Sequence, residues 1–387
     1  MLRAASRRRA ELTIALLSAL PLLPALPQPF LQDDINSTYQ AAITTSRPLH
    51  LLDPWMGGLL RLVPKLYFVL IMLVAGPIPW VFRFANLCLH ALNVYLIARI
   101  VAERSRERSV GLWAAALYAC GLGWYGAPLV QASNVTMIAA VTFLLSSWRL
   151  TQRKHRVGAA ICLVLAGLCH EGAWAAALFA PFALEADDVP AGRYALAAFL
   201  LLLAAASFLP ESVGAYCSTV MQYLPFAIVP LNATMSAVTP FSDTVSAVAQ
   251  VVVAARPWAG YAAVLGLLLL TLKARGAWTV AVAWTVIFTL PFAAAIAFWP
   301  QMWPLHWVSR RYLYAPAIGL CWLAALWLMG LSLPARRWIG GAFLAWGLLW
   351  TGLTLWGVAH EAYAPRQVEK RAEWVQDMRA LGWDVHE

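Results

Sequence analysis

Arg83-Phe84-Ala85-Asn86-Leu87-Cys88-Leu89-His90-Ala91-Leu92-Asn93 opens an apolar run that continues to about residue 102. Its polar residues Arg83, Asn86, His90 and Asn93 are spaced i, i+3, i+7, i+10. At 3.6 residues per turn, that spacing puts all four on one helical face, surrounded by apolar residues. Polar groups in a membrane span turn toward the bundle interior or an aqueous cavity. The plain alternative for Asn86, His90 and Asn93 is hydrogen bonding between helices. Arg83, at the outer end, is better placed to meet a substrate.

The rest of the chain is built of similar runs. Its 387 residues are 62% hydrophobic and 12% charged, with 20 Trp. A soluble domain is about half apolar and about a quarter charged. Long apolar runs between short basic clusters predict an all-α polytopic membrane protein. The net charge of +10 lies in those clusters, the positive-inside pattern, and so does not indicate nucleic acid as a partner. Six Cys without a Cys-x-x-Cys indicate neither a zinc site nor a disulfide framework. Arg3, Arg7, Arg8 and Arg9 precede the first run, 12–29, which lacks a small-residue cleavage site. It reads as a retained span with the N-terminus in the cytoplasm.

About 11 spans are expected. They fall near 12–29, 83–102, 110–124, 128–148, two short spans within 157–186, 194–209, 257–272, 277–298, 312–331 and 339–358. Residues 31–82 form the first outer loop, in which the apolar stretch 66–81 is interrupted by Gly76-Pro77 and Pro79. It is short for a span and is placed re-entrant or at the interface. The run 157–186 is divided because His170-Glu171 would be costly in the middle of one span. That division also puts Arg193, Lys273, Arg275, Arg336 and Arg337 in the cytoplasm. Residues 1–360 then make one transmembrane domain, and 361–387 a short polar tail on the outer face.

On this topology Asp33, Asp34, Arg47, Arg83, Glu171, Arg310 and Arg311 share one membrane surface. Carboxylates suit deprotonation of an acceptor hydroxyl. Guanidinium groups grip a phosphate bidentately. A sugar carried on a lipid phosphate needs both. The Trp-rich outer loops belong at the interface in any membrane protein.

Four short motifs carry a family resemblance: Asp33-Asp34, Arg47-Pro48-Leu49, Asn86-x-x-x-His90-x-x-Asn93, and Arg311-Tyr312-Leu313-Tyr314-Ala315-Pro316. With them the chain resembles the polyprenyl-phosphate-sugar-dependent glycosyltransferases of the GT-C fold. Its likeness is to the protein O-mannosyltransferases and related membrane mannosyltransferases. His170-Glu171 resembles the family's Lys-Glu, with His in place of Lys. Two features depart from the pattern. Arg310 stands where an acidic residue often precedes the motif arginine, and the tail is too short for tetratricopeptide repeats.

The resemblance implies an inverting transfer from a polyprenyl-phosphate-linked sugar to a protein or glycan acceptor. An acid of the first outer loop would act as base or orient the acceptor. Mapped here, Asp33 or Asp34 is that acid, with Asp34 preferred. The other caps a short helix beginning near Ile35-Asn36. Arg311 leads as donor-phosphate ligand, with Arg310 and Arg83 behind it. Glu171, His170, Arg47, Asn86 and His90 are acceptor-side or supporting candidates. The alternative for Glu171 is a helix-end acid paired to a neighbouring arginine. Some members of the fold use a divalent metal, and no dense His or carboxylate cluster argues for one here. Short loops fit a bacterial inner membrane, with membrane lipids around the chain, and active site and C-terminus on the periplasmic side. A glycolipid transporter or flippase, or a non-catalytic protein of the same fold, is the competing class. The absence of an internal repeat weighs against a transporter.

Overall fold

The computed structural model describes residues 2–53, 61–121, 131–176, 178–179, 198, 200–207, 214–215, 217–222, 242–298 and 313–385. Among them all regular structure is helical. In chain order the α-helices are α1 (Leu2–Leu17), α2 (Gln32–Ser46), α3 (Leu62–Ala75), α4 (Pro79–Ser105), α5 (Arg108–Cys120) and α6 (Val135–Gln152). Then come α7 (Arg156–Cys169), α8 (Ser242–Lys273), α9 (Ala277–Phe298), α10 (Pro316–Met329), α11 (Leu333–Ala362) and α12 (Pro365–Ala380). The chain divides into two compact units. Unit 1 is Met1–Leu96, Ala119–Ala173 and Ala345–Glu387; unit 2 is Ile97–Tyr118 and Trp174–Leu344.

In unit 1, α6 and α7 pack on each other, α3 packs on α2 and α7, and α12 lies on α2. The apolar run 12–29 is not one helix. The helix α1 takes in the whole basic cluster and stops at Leu17, and a 3₁₀ segment follows at Leu20–Ala25. Pro21, Pro24, Pro27 and Pro29 explain the break, because each removes an N–H and crowds the carbonyl of the preceding turn.

The first loop is largely helical. Its α2 begins at Gln32, three residues before the expected start. At 14 residues α3 is about 21 Å long, short of a hydrocarbon core of about 30 Å. It ends at Gly76, whose φ of 74° suits glycine and whose N–H reaches the Met72 carbonyl at 2.9 Å. The run 157–186 is interrupted where the ionisable pair stands: α7 ends at Cys169 and His170 is extended.

In unit 2, α9 and α10 approach closely at Gly319, where a Cβ would collide with the Thr285 backbone and side chain. Small residues at such crossings let helix backbones meet. The start of α10 is pinned by two buried donors. Trp284 Nε1 donates to the Ala315 carbonyl (2.8 Å), and the Tyr118 hydroxyl donates to the Tyr314 carbonyl (3.0 Å). The helix α8 begins at Ser242, well before the span expected near 257–272.

Among the described residues one helix, α4, is long and apolar enough to cross a membrane by itself. Five shorter apolar helices accompany it: Leu62–Ala75, Arg156–Cys169, Trp258–Lys273, Ala277–Pro291 and Pro316–Met329. The fold is therefore all-helical, and the larger count of spans remains a sequence-based expectation.

Candidate functional site

The polar face of α4 lies within unit 1. Arg83, Asn86, His90 and Asn93 are all buried, as their shared helical face requires. Asn86 donates to the carbonyls of Gln131 (3.3 Å) and Ala132 (3.2 Å). Its side-chain oxygen lies 2.8 Å from the Tyr67 hydroxyl, which also lies 2.7 Å from the Phe82 carbonyl. Asn93 donates to the Ile138 carbonyl at 3.1 Å. Asn86 and Asn93 thus bind the backbone around α6 to α4, the interhelical use that the sequence allowed.

Arg83 is bound by the protein itself. Its guanidinium donates to the carbonyls of Leu26 (3.3 Å), Gln28 and Pro29 (2.7 Å), and one nitrogen lies 3.8 Å from Asp34 Oδ2. With 1% of its side chain exposed, Arg83 is not placed to grip a lipid phosphate. The prolines that break the helical ladder at 21–29 leave carbonyls without helical partners, and Arg83 supplies the donors.

The acidic pair is split by the helix start. Asp34 sits in the first turn of α2, fully buried. Its carboxylate accepts from the N–H of Leu31 (3.3 Å) and the N–H of Ser133 (2.8 Å). Burial pushes this carboxyl above its ordinary range, opposed by the Arg83 guanidinium and by those two N–H groups. Asp34 is thus the capping acid that satisfies an orphan donor at the helix start. Asp33, expected in that role, is half-buried on the neighbouring position. The helix began earlier than expected, at Gln32, and this moved the cap from one acid to the other.

Glu171 is paired. Arg61 donates to it bidentately at 2.8–3.2 Å, and His170 Nε2 lies 3.5 Å from Glu171 Oε1. Burial works to raise the Glu171 carboxyl, but His170 and Arg61 prevail and hold it below the usual carboxylate value. The Gly172 N–H donates to His170 Nδ1 at 3.0 Å, which sets the ring.

Arg47 is exposed at the far end of α2, about 20 Å along the helix from Asp33. The two are not brought together. Arg310 and Arg311 lie outside the described residues. Among the described residues no group of three His, Cys, Asp or Glu is placed to hold a metal ion.

Several participants carry no sequence signal. Arg61 is 110 residues from Glu171, and Ser133 is 99 from Asp34. A further cluster closes the first loop. His50 Nδ1 lies 2.5 Å from Asp53 Oδ2 and its Nε2 2.6 Å from Gln40 Oε1. Lys65 donates to the carbonyls of His50 (2.8 Å) and Asp53 (2.5 Å). The spacing His50-x-x-Asp53 was the only local hint of it. Comparison of the chain with family models, with curated proteins and with solved structures finds no match.

Proposed function

We propose that this chain is an integral membrane glycosyltransferase. It moves a sugar from a polyprenyl-phosphate donor to an acceptor at the outer face, with Asp33 as the acid that meets the acceptor hydroxyl. The observation that carries the reading is the first turn of α2. Asp34 is locked by Leu31, Ser133 and Arg83, so the half-buried acid beside it stands on a rigid support. Fixed orientation is what a general base needs. Arg311 and Arg310 remain the donor-phosphate ligands of this proposal, with Glu171 and His170 on the acceptor side.

Membrane embedding is supported by an inverted distribution of polarity. Large apolar side chains are exposed at helical spacing on one face of α3 (Leu66, Leu70, Leu73), α7 (Val157, Ile161, Val164) and α8 (Leu265, Leu269, Leu272). The polar face of α4 is meanwhile buried. Water would oppose such exposure, and lipid accepts it. Sidedness is supported by two contacts: α12 packs on α2, and Glu171 reaches Arg61 in the first loop. Tail, loop and His170-Glu171 turn then share one side, which this reading takes as the outer one. The burial of Arg83, Asn86, His90 and Asn93 among protein groups argues against a water-filled transport path along α4.

Mass spectrometry of glycolipids and glycoproteins from a deletion strain tests the reading. A hexose- or pentose-sized mass should disappear and return with the intact gene. With Asp33→Asn, turnover should fall about 100- to 10,000-fold while the protein accumulates normally. Identical glycan masses in deletion and parent strains would remove the glycosyltransferase reading.

A further inference from the structure

The C-terminal helix α12 is mostly polar, yet it does not lie free. Its buried residues Gln367, Trp374, Val375 and Met378 recur at helical spacing and form one face, and the helix packs on α2. Ala364 is extended, Pro365 starts the helix, and the Arg371 guanidinium donates to the Ala362 carbonyl at 2.5 Å. The turn between α11 and α12 is therefore fixed, which aims the apolar face of α12 inward.

Trp374 touches a chain of aromatic rings. It meets Phe30 edge-on with centroids 5.5 Å apart. Phe30 meets Phe82 edge-on at 5.6 Å, and Phe82 stacks on Phe68 at 5.0 Å. Phe30 stands two residues before α2, and Phe82 immediately before Arg83. The ring chain thus joins the same two elements that the Asp34–Arg83 pair joins, the start of α2 and the outer part of α4, and it is anchored from outside by the tail.

We infer that α12 is a clamp on the acid-bearing end of α2, with Trp374 as a positioning residue for Asp33. This rests on the reading of Asp33 as the base. The clamp itself is a statement about α2 and has its own readout. Trp374 touches no reacting atom; it fixes Phe30 and thereby the angle at which α2 enters. A small misplacement of a catalytic group is enough to lower turnover.

The test uses the full-length protein in lipid nanodiscs, with Trp374→Ala, Trp374→Phe and a chain stopped after Ala364. Hydrogen exchange of the amides at 32–38 reports the clamp without any substrate. Trp374→Ala and the shortened chain should exchange there at least about 10-fold faster, with α6 amides unchanged. Trp374→Phe keeps an edge contact and should restore slow exchange. In transfer assays with a polyprenyl-phosphate sugar, kcat should fall about 10–100-fold for Trp374→Ala at unchanged donor KM. A role in general stability alone would instead raise exchange everywhere and lower activity only with the folded fraction. That result overturns the clamp, as does unchanged exchange at 32–38. If Trp374→Ala does not fold, Val375→Ala on the same face replaces it. Transfer absent even from the unaltered protein would sink the enzyme reading, while the exchange data would still decide the clamp.

Discussion

Arg83 stands 3.8 Å from Asp34 with both side chains withdrawn from solvent, whereas Arg61 grips Glu171 at 2.8–3.2 Å with Glu171 43% exposed. By distance the second pair is the closer. By environment the first matters more. The Arg83 guanidinium also holds three backbone carbonyls, and the Asp34 carboxylate also holds two backbone N–H groups. Removing either partner strands a charge in a dry interior. At Glu171, water and salt replace whatever is lost. Ion pairs are therefore ranked by what surrounds them and not by their separation.

The largest expected effect breaks the buried pair. Asp34→Ala should lower unfolding stability by about 3–5 kcal/mol, measured by denaturant titration of the detergent-solubilised protein. A loss under about 1 kcal/mol would mean that Arg83 finds water, and the contrast would collapse. Arg83→Lys comes next. It keeps the charge but replaces the planar fork with a single ammonium, which cannot serve Leu26, Gln28, Pro29 and Asp34 together. About 1.5–3 kcal/mol should be lost, the worth of a charged hydrogen bond. Full stability in this variant would show that the carbonyls need no fork.

Glu171→Gln should cost under about 1 kcal/mol, and less at high salt. Its sharper signature is pH. Folding holds the Glu171 carboxyl below its ordinary 4.5, so its stabilisation is complete above that value. It declines as pH falls through the lower folded-state value. The stability difference between the unaltered protein and Glu171→Gln should thus shrink as pH falls below 4.5. A difference that grows in acid would reverse the assigned direction.

Period and composition made the polar face of α4 legible, because a polar stripe in an apolar helix is a local pattern. The break at His170 was legible too, from the cost of charge within a span. The first run misled because it was read by hydropathy, whereas its four prolines decide backbone geometry. Asp33 and Asp34 could not be told apart, since one residue of difference in helix start exchanges their roles. Arg61, Tyr67 and Ser133 were hidden because their partners are distant in sequence and their residue types are common. Arg310 and Arg311 lie outside the described residues, whereas Tyr314 and Ala315 of the same motif are held by Tyr118 and Trp284.

The bond from Arg83 to Gln28 also sets a clock. Fifty-five residues separate the two, and a ribosome adding about 5–20 residues per second needs roughly 3–11 s to cover them. For that interval the carbonyls of Leu26, Gln28 and Pro29 exist without the side chain that will bind them. The proline-broken segment must wait, its carbonyls hydrated, until α4 arrives. Maturation of the amino-terminal end of this chain is thus tied to synthesis of a helix that begins only at Pro79.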